Sequence, residues 1–188
     1  MTEPWKPTRE QLELARDKKV PDLVAPDLAV LFCGINPGLY SGAVGHHFAR
    51  PGNRFWPALH GSGFTARRLS PFDERELLAF DLGVTNFVER TTATAAELSP
   101  QEIEAGSRHL KAKARRLRPR WLAPLGVTAY RRTFGPPGAA VGLQAEVIGT
   151  TRIWLLPNPS GLNAHYQLPA LIDELARLRD AVEADPGP

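Results

Sequence analysis

The chain has 188 residues, the span of one domain, and its 43 % hydrophobic and 23 % charged content is a globular balance that argues against wholesale disorder. A single cysteine, Cys33, excludes an internal disulfide, a four-cysteine zinc site and a cysteine-ligated iron–sulfur cluster, and no apolar run approaches the roughly 18–20 residues of a membrane span. The net charge of +3 hides an uneven distribution: residues 28–72 hold four arginines and no acid, and residues 105–172 hold ten lysines or arginines against one acid, Glu146. That pattern fits solvated helix faces and a polyanion-binding face equally well.

In chain order, the opening MTEPWKPTRE has no apolar stretch of the secretory kind, so a soluble, cytoplasmic protein is expected. A helix is predicted from Thr8 to about Lys19, with Thr8 as cap and Gln11 three residues on. Pro21 and Pro26 break the chain. Leu28–Cys33 is a short continuous apolar run ending in glycine, the pattern of a parallel strand buried on both faces. Short helices are expected at Arg54–Leu59 and Asp73–Phe80, and a strand at Gly83–Val88. Ser99-Pro-Gln-Glu102 then opens a long helix, Pro100–Leu117, with an N-cap serine, proline at the first helical position and Glu at N3. Its Lys111, Lys113, Arg115 and Arg116 fall in the last turns, where the helix dipole favours cations, so part of the basic cluster has a structural explanation.

Trp121–Leu125 reads as a third strand despite Pro124, which speaks against a central position. Ala145–Ile148 and Ile153–Leu156 read as strands joined through the Gly149–Thr151 turn. Leu171, Leu175 and Leu178 mark one face of a last helix, Leu168–Val182, and Ala184–Pro188 reads as a frayed tail. The alternation of strands and helices predicts an α/β domain over residues 28–183, three layers deep with a mainly parallel central sheet, preceded by an N-terminal extension, residues 1–27. In such sheets ligands bind beyond the carboxyl ends of the strands, so the loops that follow the strands matter most.

Two of those loops are alike. Gly34-Ile-Asn-Pro-Gly38 follows the first strand, and Pro157-Asn-Pro-Ser-Gly-Leu-Asn163 follows the last. Proline biases the residue before it away from helix, so Asn36 and Asn158 are expected in extended geometry, each offering a carboxamide at one edge of the sheet. Asn-Pro with glycine is also ordinary turn chemistry, and for either loop alone a plain turn competes with a binding role. The chain has no G-x-x-x-x-G-K-[ST] loop, no G-x-G-x-x-G after the first strand and no Gly-x-Ser-x-Gly elbow, and no residue spacing resembles a metal site. His46 and His47 are adjacent, which suits a shared metal poorly, and His165 reads as an exposed, incidental histidine.

Taken together, Gly34-Ile-Asn-Pro-Gly38, Phe48, Asn53-Arg-Phe-Trp56 and Asn158-Pro-Ser-Gly-Leu162 resemble the mismatch-specific uracil-DNA glycosylases, which group with the thymine-DNA glycosylases in the uracil-DNA glycosylase superfamily. The resemblance spans about residues 28–182. It implies an α/β/α fold and cofactor-free, metal-free hydrolysis of the N-glycosidic bond of a base flipped from double-stranded DNA. Uracil opposite guanine and 3,N4-ethenocytosine would be favoured substrates, and thymine opposite guanine a poorer one. A monomer acting at the nucleoid is expected.

The resemblance implies roles residue by residue. Asn36 matches the water-positioning asparagine, and Asn158 the polar residue of the second loop; these are the expected catalytic pair. Main-chain groups of Ile35 and Gly38 would bond the flipped base, and Phe48 would stack on it, with plain core packing as the alternative for this ring. Leu162 matches the wedge that enters the duplex, and the flanking carbonyls of Gly161 and Asn163 would meet the widowed guanine. Where the family carries lysine after Val-Thr this chain has Asn86, counted with the base-binding set although it lends no positive charge. Tyr40 replaces a small polar residue and is expected to narrow the pocket, Asn163 replaces serine, and Ala93 offers no chemistry. Glu89 is the one carboxylate expected near the edge, and Arg54 and Trp56 are expected to support the first loop.

Overall fold

A computed structural model describes residues 6–185. Five strands form one sheet in the order β2-β1-β3-β5-β4, where β1 is Val30–Gly34, β2 Leu82–Asn86, β3 Trp121–Pro124, β4 Gly142–Ile148 and β5 Thr151–Leu155. All pairings are parallel except β4 with β5, which is antiparallel. The expected three-layer α/β fold with a mainly parallel sheet is therefore present. Every residue of β1 is buried, and its side chains alternate between the two layers as period-2 geometry requires. Val30 and Phe32 face a core shared with Phe55, Leu59, Leu171, Leu175 and Leu178. Leu31 and Cys33 face the other, with Leu110, Ala114 and Tyr130.

The described residues form six α-helices: α1 (Arg9–Glu13), α2 (Leu39–Val44), α3 (Phe55–Gly61), α4 (Pro100–Leu117), α5 (Val127–Thr133) and α6 (Leu168–Ala184). Helix α4 has the predicted bounds, with Ser99 Oγ accepting from Glu102 N at 3.2 Å and the Glu102 carboxylate accepting from Ser99 N at 2.9 Å. The segment predicted as a helix from residue 73 is a 3-10 helix, Pro71–Phe80. Sequence periodicity shows neither α2 nor α5, because each is too short to repeat an apolar face. Pro124 is tolerated in a central strand because it closes β3: the ladder to β5 is interrupted there and resumes at the Leu125–Leu156 bridge.

The N-terminal helix is shorter than predicted. Thr8 and Gln11 form the expected capping box, but α1 stops at Glu13, and Asp17 takes a left-handed conformation (φ 61°). The chain turns there because the backbone of Asp17 and Lys18 bonds Thr91 instead of extending the helix. Leu23 then adds an antiparallel bridge to Val84 on β2. At the other end, Asp185 is held by Arg152 and by Arg120; Met1–Trp5 and the last three residues of the expected tail lie outside the described residues. No helix is long and apolar enough to cross a membrane, and no group of three metal-ligating side chains occurs, among the described residues.

Candidate active site

A cleft of about 390 Å³ opens at the carboxyl ends of the parallel strands. Gly34–Ser41 after β1, Asn86 at the end of β2, Leu125 after β3 and Asn158–Ser160 after β5 all reach it. Of the residues singled out from sequence, Ile35, Asn36, Gly38, Phe48, Asn86, Asn158 and Tyr40 line this one cleft. No Asp or Glu lines it among the described residues. Glu89 instead pairs with Lys19 at 2.7 Å and faces a separate cavity beside α4; that pairing, through the Lys19 hydrogen bond first, holds its carboxyl below the usual range.

Asn36 is half-buried, and its carboxamide orientation is fixed. Nδ2 donates to the Arg90 carbonyl at 3.0 Å and to Thr92 Oγ1 at 2.7 Å. Thr92 is 1 % exposed and spends its own proton on the Thr94 carbonyl at 2.8 Å, so its oxygen can only accept from Asn36. Asn36 Oδ1 is left as an acceptor for the cleft. Asn158 has the opposite polarity: its Oδ1 accepts from Ser160 N at 2.9 Å, which leaves Nδ2 as a donor. The cleft thus presents one neutral acceptor and one neutral donor from the two loops.

Phe48 sits between the core and the cleft. One side packs on Phe55, with centroids 4.2 Å apart, and the half-buried ring also lines the cleft. Its backbone is left-handed (φ 52°), an uncommon conformation for a bulky residue. The turn is held by Glu74, which accepts from His47 N at 2.8 Å, and by Ser41, whose Oγ accepts from Ala49 N at 3.1 Å.

Asn86 is buried beside His47. His47 Nε2 lies 3.0 Å from the Pro21 carbonyl; that oxygen can only accept, so Nε2 carries the proton and Nδ1 offers a lone pair. Asn86 Nδ2 faces that lone pair at 3.5 Å, and its Oδ1 sits over Gly34, where an added Cβ would approach to 2.6 Å. Burial lowers the His47 pKa, which keeps the ring neutral and this tautomer in place. Sequence spacing gives no sign of these supports: Thr92 and His47 act through contacts with residues 56 and 39 positions away.

The second loop is organised by Arg54, whereas the sequence points to Arg54 as a support for the first loop. Its guanidinium donates to the carbonyls of Ser160 (3.3 Å), Gly161 (3.1 Å), Asn163 (2.9 Å) and Tyr166 (2.9 Å) and to Gln167 Oε1 (3.0 Å). Gly161 presses on the Gly52 carbonyl, where a Cβ would come within 2.6 Å, so only glycine lets the loops meet. Leu162 is thereby held out, 77 % exposed. It does not line the first cleft; with Asn163 it lines a second of about 550 Å³, which shares Ile35, Asn158 and Ser160 with the first. Gly161 lines neither.

The basic spans are mostly spent inside the protein. Arg54, Lys113, Arg118, Arg120, Arg131 and Arg152 all bond protein partners. Arg50 at the first cleft and Arg132 at the second have no side-chain partner among the described residues, so they are cations free to meet an anion.

The comparison with known families agrees with this geometry. The sequence model described as "Uracil DNA glycosylase superfamily" matches residues 21–182, which covers the sheet, both Asn-Pro loops and all but the last two residues of α6. A five-stranded, mainly parallel sheet with a cleft at its carboxyl edge thus goes with a match over most of the chain, and the protein belongs to the uracil-DNA glycosylase superfamily.

Proposed function

We propose that the protein is a monofunctional DNA glycosylase of the mismatch-specific branch, removing uracil opposite guanine, and related lesions such as 3,N4-ethenocytosine, from double-stranded DNA. One observation carries this reading: Asn36, whose Nδ2 is held by the Arg90 carbonyl and Thr92 and whose Oδ1 has no partner among the described residues, lines a cleft that no carboxylate among them lines.

Cleavage of the bond from C1′ to the base builds positive charge on the sugar and negative charge on the departing base, with an oxocarbenium-like transition state. Asn36 Oδ1 accepts a hydrogen bond from water and aims its lone pair at C1′. A carboxamide cannot deprotonate that water at neutral pH, so orientation is its contribution. Asn158 Nδ2 donates beside the scissile bond. Phe48 stacks on the flipped base, an interaction worth about 1–3 kcal/mol that tolerates different bases. Ile35 and Gly38 form the floor of the pocket, and Asn86 Oδ1 accepts from a base N–H such as N3–H of uracil.

Leu162 enters the gap left by the base and offsets an unstacking cost of a few kcal/mol per step. The Gly161 and Asn163 carbonyls each keep a lone pair beyond the one Arg54 uses, and these meet the donors of the widowed guanine. The products are a free base and an abasic site, the substrate of the next step of base excision repair.

A cleft without a carboxylate among its described lining residues also suits a lesion-binding protein with little turnover. Incubation of excess protein with G·U, A·U, G·T and G·ethenocytosine duplexes, followed by alkali, separates the two. Strand breaks at the lesion, greatest for G·U and G·ethenocytosine, are expected; binding without breaks on any duplex would overturn the glycosylase reading. Asn36→Ala should lose at least a hundredfold in cleavage rate while holding duplex affinity within about threefold.

A further inference from the structure

The superfamily match begins at residue 21, yet the segment before it reaches the cleft. Leu12, on α1, lines the same cleft as Asn36 and Phe48, and α1 packs on α2. Beyond α1 the chain runs along the loop that follows β2. Asp17 N donates to the Thr91 carbonyl at 3.1 Å, Thr91 N donates to the Lys18 carbonyl at 2.8 Å, and Thr91 Oγ1 donates to the carbonyl of buried Ala15. Three ion pairs join the same two stretches: Arg16 with Glu97, Asp17 with Arg90 at 2.9 Å, and Lys19 with Glu89 at 2.7 Å.

The opposite side of that loop holds Asn36. The Arg90 carbonyl and Thr92 Oγ1 are the acceptors that fix its carboxamide. Residues 89–97 are therefore clamped between the N-terminal segment and the loop after β1, and Arg90 takes part on both sides. A loop of this length exposed on one side would open locally at small cost. Catalysis requires the amide to stay within a fraction of an ångström, since a misplacement of about 1 Å costs on the order of a hundredfold in rate.

We propose that residues 8–20 are a working part of the active site: they position the 89–97 loop against Asn36 and supply, through Leu12, one wall of the base pocket. This rests on the glycosylase reading. None of these residues touches the reacting atoms; they are positioning residues, and Leu12 adds selectivity.

The test uses the full chain carrying Arg16→Gln, Asp17→Asn and Lys19→Gln together. Its maximal single-turnover rate on a G·U duplex should fall five- to twentyfold, with duplex affinity within twofold, and the charge-preserving set Arg16→Lys, Asp17→Glu and Lys19→Arg should recover most of the rate. On the same samples, amide hydrogen exchange at Thr91 and Thr92 should speed up at least tenfold. Leu12→Ala should raise the thymine-to-uracil rate ratio at least threefold, and Leu12→Met should leave it unchanged.

Unchanged exchange overturns the buttress whatever the activity. Faster exchange with an undiminished rate shows a structural tether only and overturns the working role. An unaltered base ratio in Leu12→Ala removes Leu12 from selectivity. If the unsubstituted protein cleaves no duplex, the glycosylase reading fails, and hydrogen exchange still decides the buttress.

Discussion

At Asn36 the chemistry depends less on the residue itself than on what bonds its far side. Thr92 Oγ1 accepts from Nδ2 and donates onward to Thr94, so the hydroxyl cannot be replaced by a methyl without releasing the amide. Thr92→Val, nearly isosteric, should lower the maximal single-turnover rate by about tenfold, with Thr92→Ser close to the parent; equal rates for Val and parent would remove the lock. His47 gives a pH dependence. Burial is the largest influence and pushes its pKa down, with His46 adding to this, against Glu74, the Pro21 carbonyl and Asp22, which pull it up.

Because the folded value lies below the unfolded one, near 6.5, the unfolded chain binds the extra proton more readily. The stability His47 contributes is complete above about pH 6.5 and is lost as pH falls through the folded value. Protonation also turns Nδ1 into a donor facing Asn86 Nδ2, which forces the Asn86 amide to turn. Uracil cleavage should therefore drop on the acid side with a one-proton slope that His47→Gln abolishes, as a pH–rate profile would show. That Asn36 and Asn158 meet at one cleft is legible in the sequence because motif and sheet rule agree on them, while Phe48 is placed there by the resemblance alone. Thr92 and His47 are not, because their roles exist only through partners far away in the chain.

Among the elements, the strands are the most legible. Continuous apolar runs in β1, β3 and β5 give buried parallel strands, and the Ser99–Glu102 signature gives the start of α4 without error. The short helices α2 and α5 and the truncation of α1 are not legible, since tertiary hydrogen bonds to Thr91 decide where α1 ends. The second loop shows why an arginine stands at position 54: four carbonyls converge on its guanidinium, a planar fork that lysine cannot reproduce. Arg54→Lys should loosen residues 160–167 and Leu162 with them. The expected result is a fall of about fivefold or more in duplex affinity with a similar loss in base flipping, read by fluorescence of 2-aminopurine beside the lesion. Unchanged flipping would mean that the loop holds its shape without the fork.

For the molecule as a whole, the charge pattern seen in the sequence changes meaning. The acid-poor spans suggest a broad polyanion face, but most of their cations are bonded within the fold, and Arg50 and Arg132 are the free ones at the two clefts. Carboxylates and main-chain carbonyls, hidden from composition, take up eight of the other twelve. Duplex binding should therefore depend weakly on salt, with a slope of log K against log salt of about −2 to −4, as for a few phosphates. A slope near −8 would point to a wide basic face.

In the function proposed for it, the cleft at the carboxyl edge of the sheet hydrolyses the bond to uracil with a water held by Asn36. Release of free uracil from a G·U duplex, followed by mass spectrometry at enzyme excess for the parent and Asn36→Ala side by side, tests it most directly. Stoichiometric uracil is expected from the parent and at least a hundredfold slower release from the variant; equal release from both, or none from the parent, would overturn this chemistry.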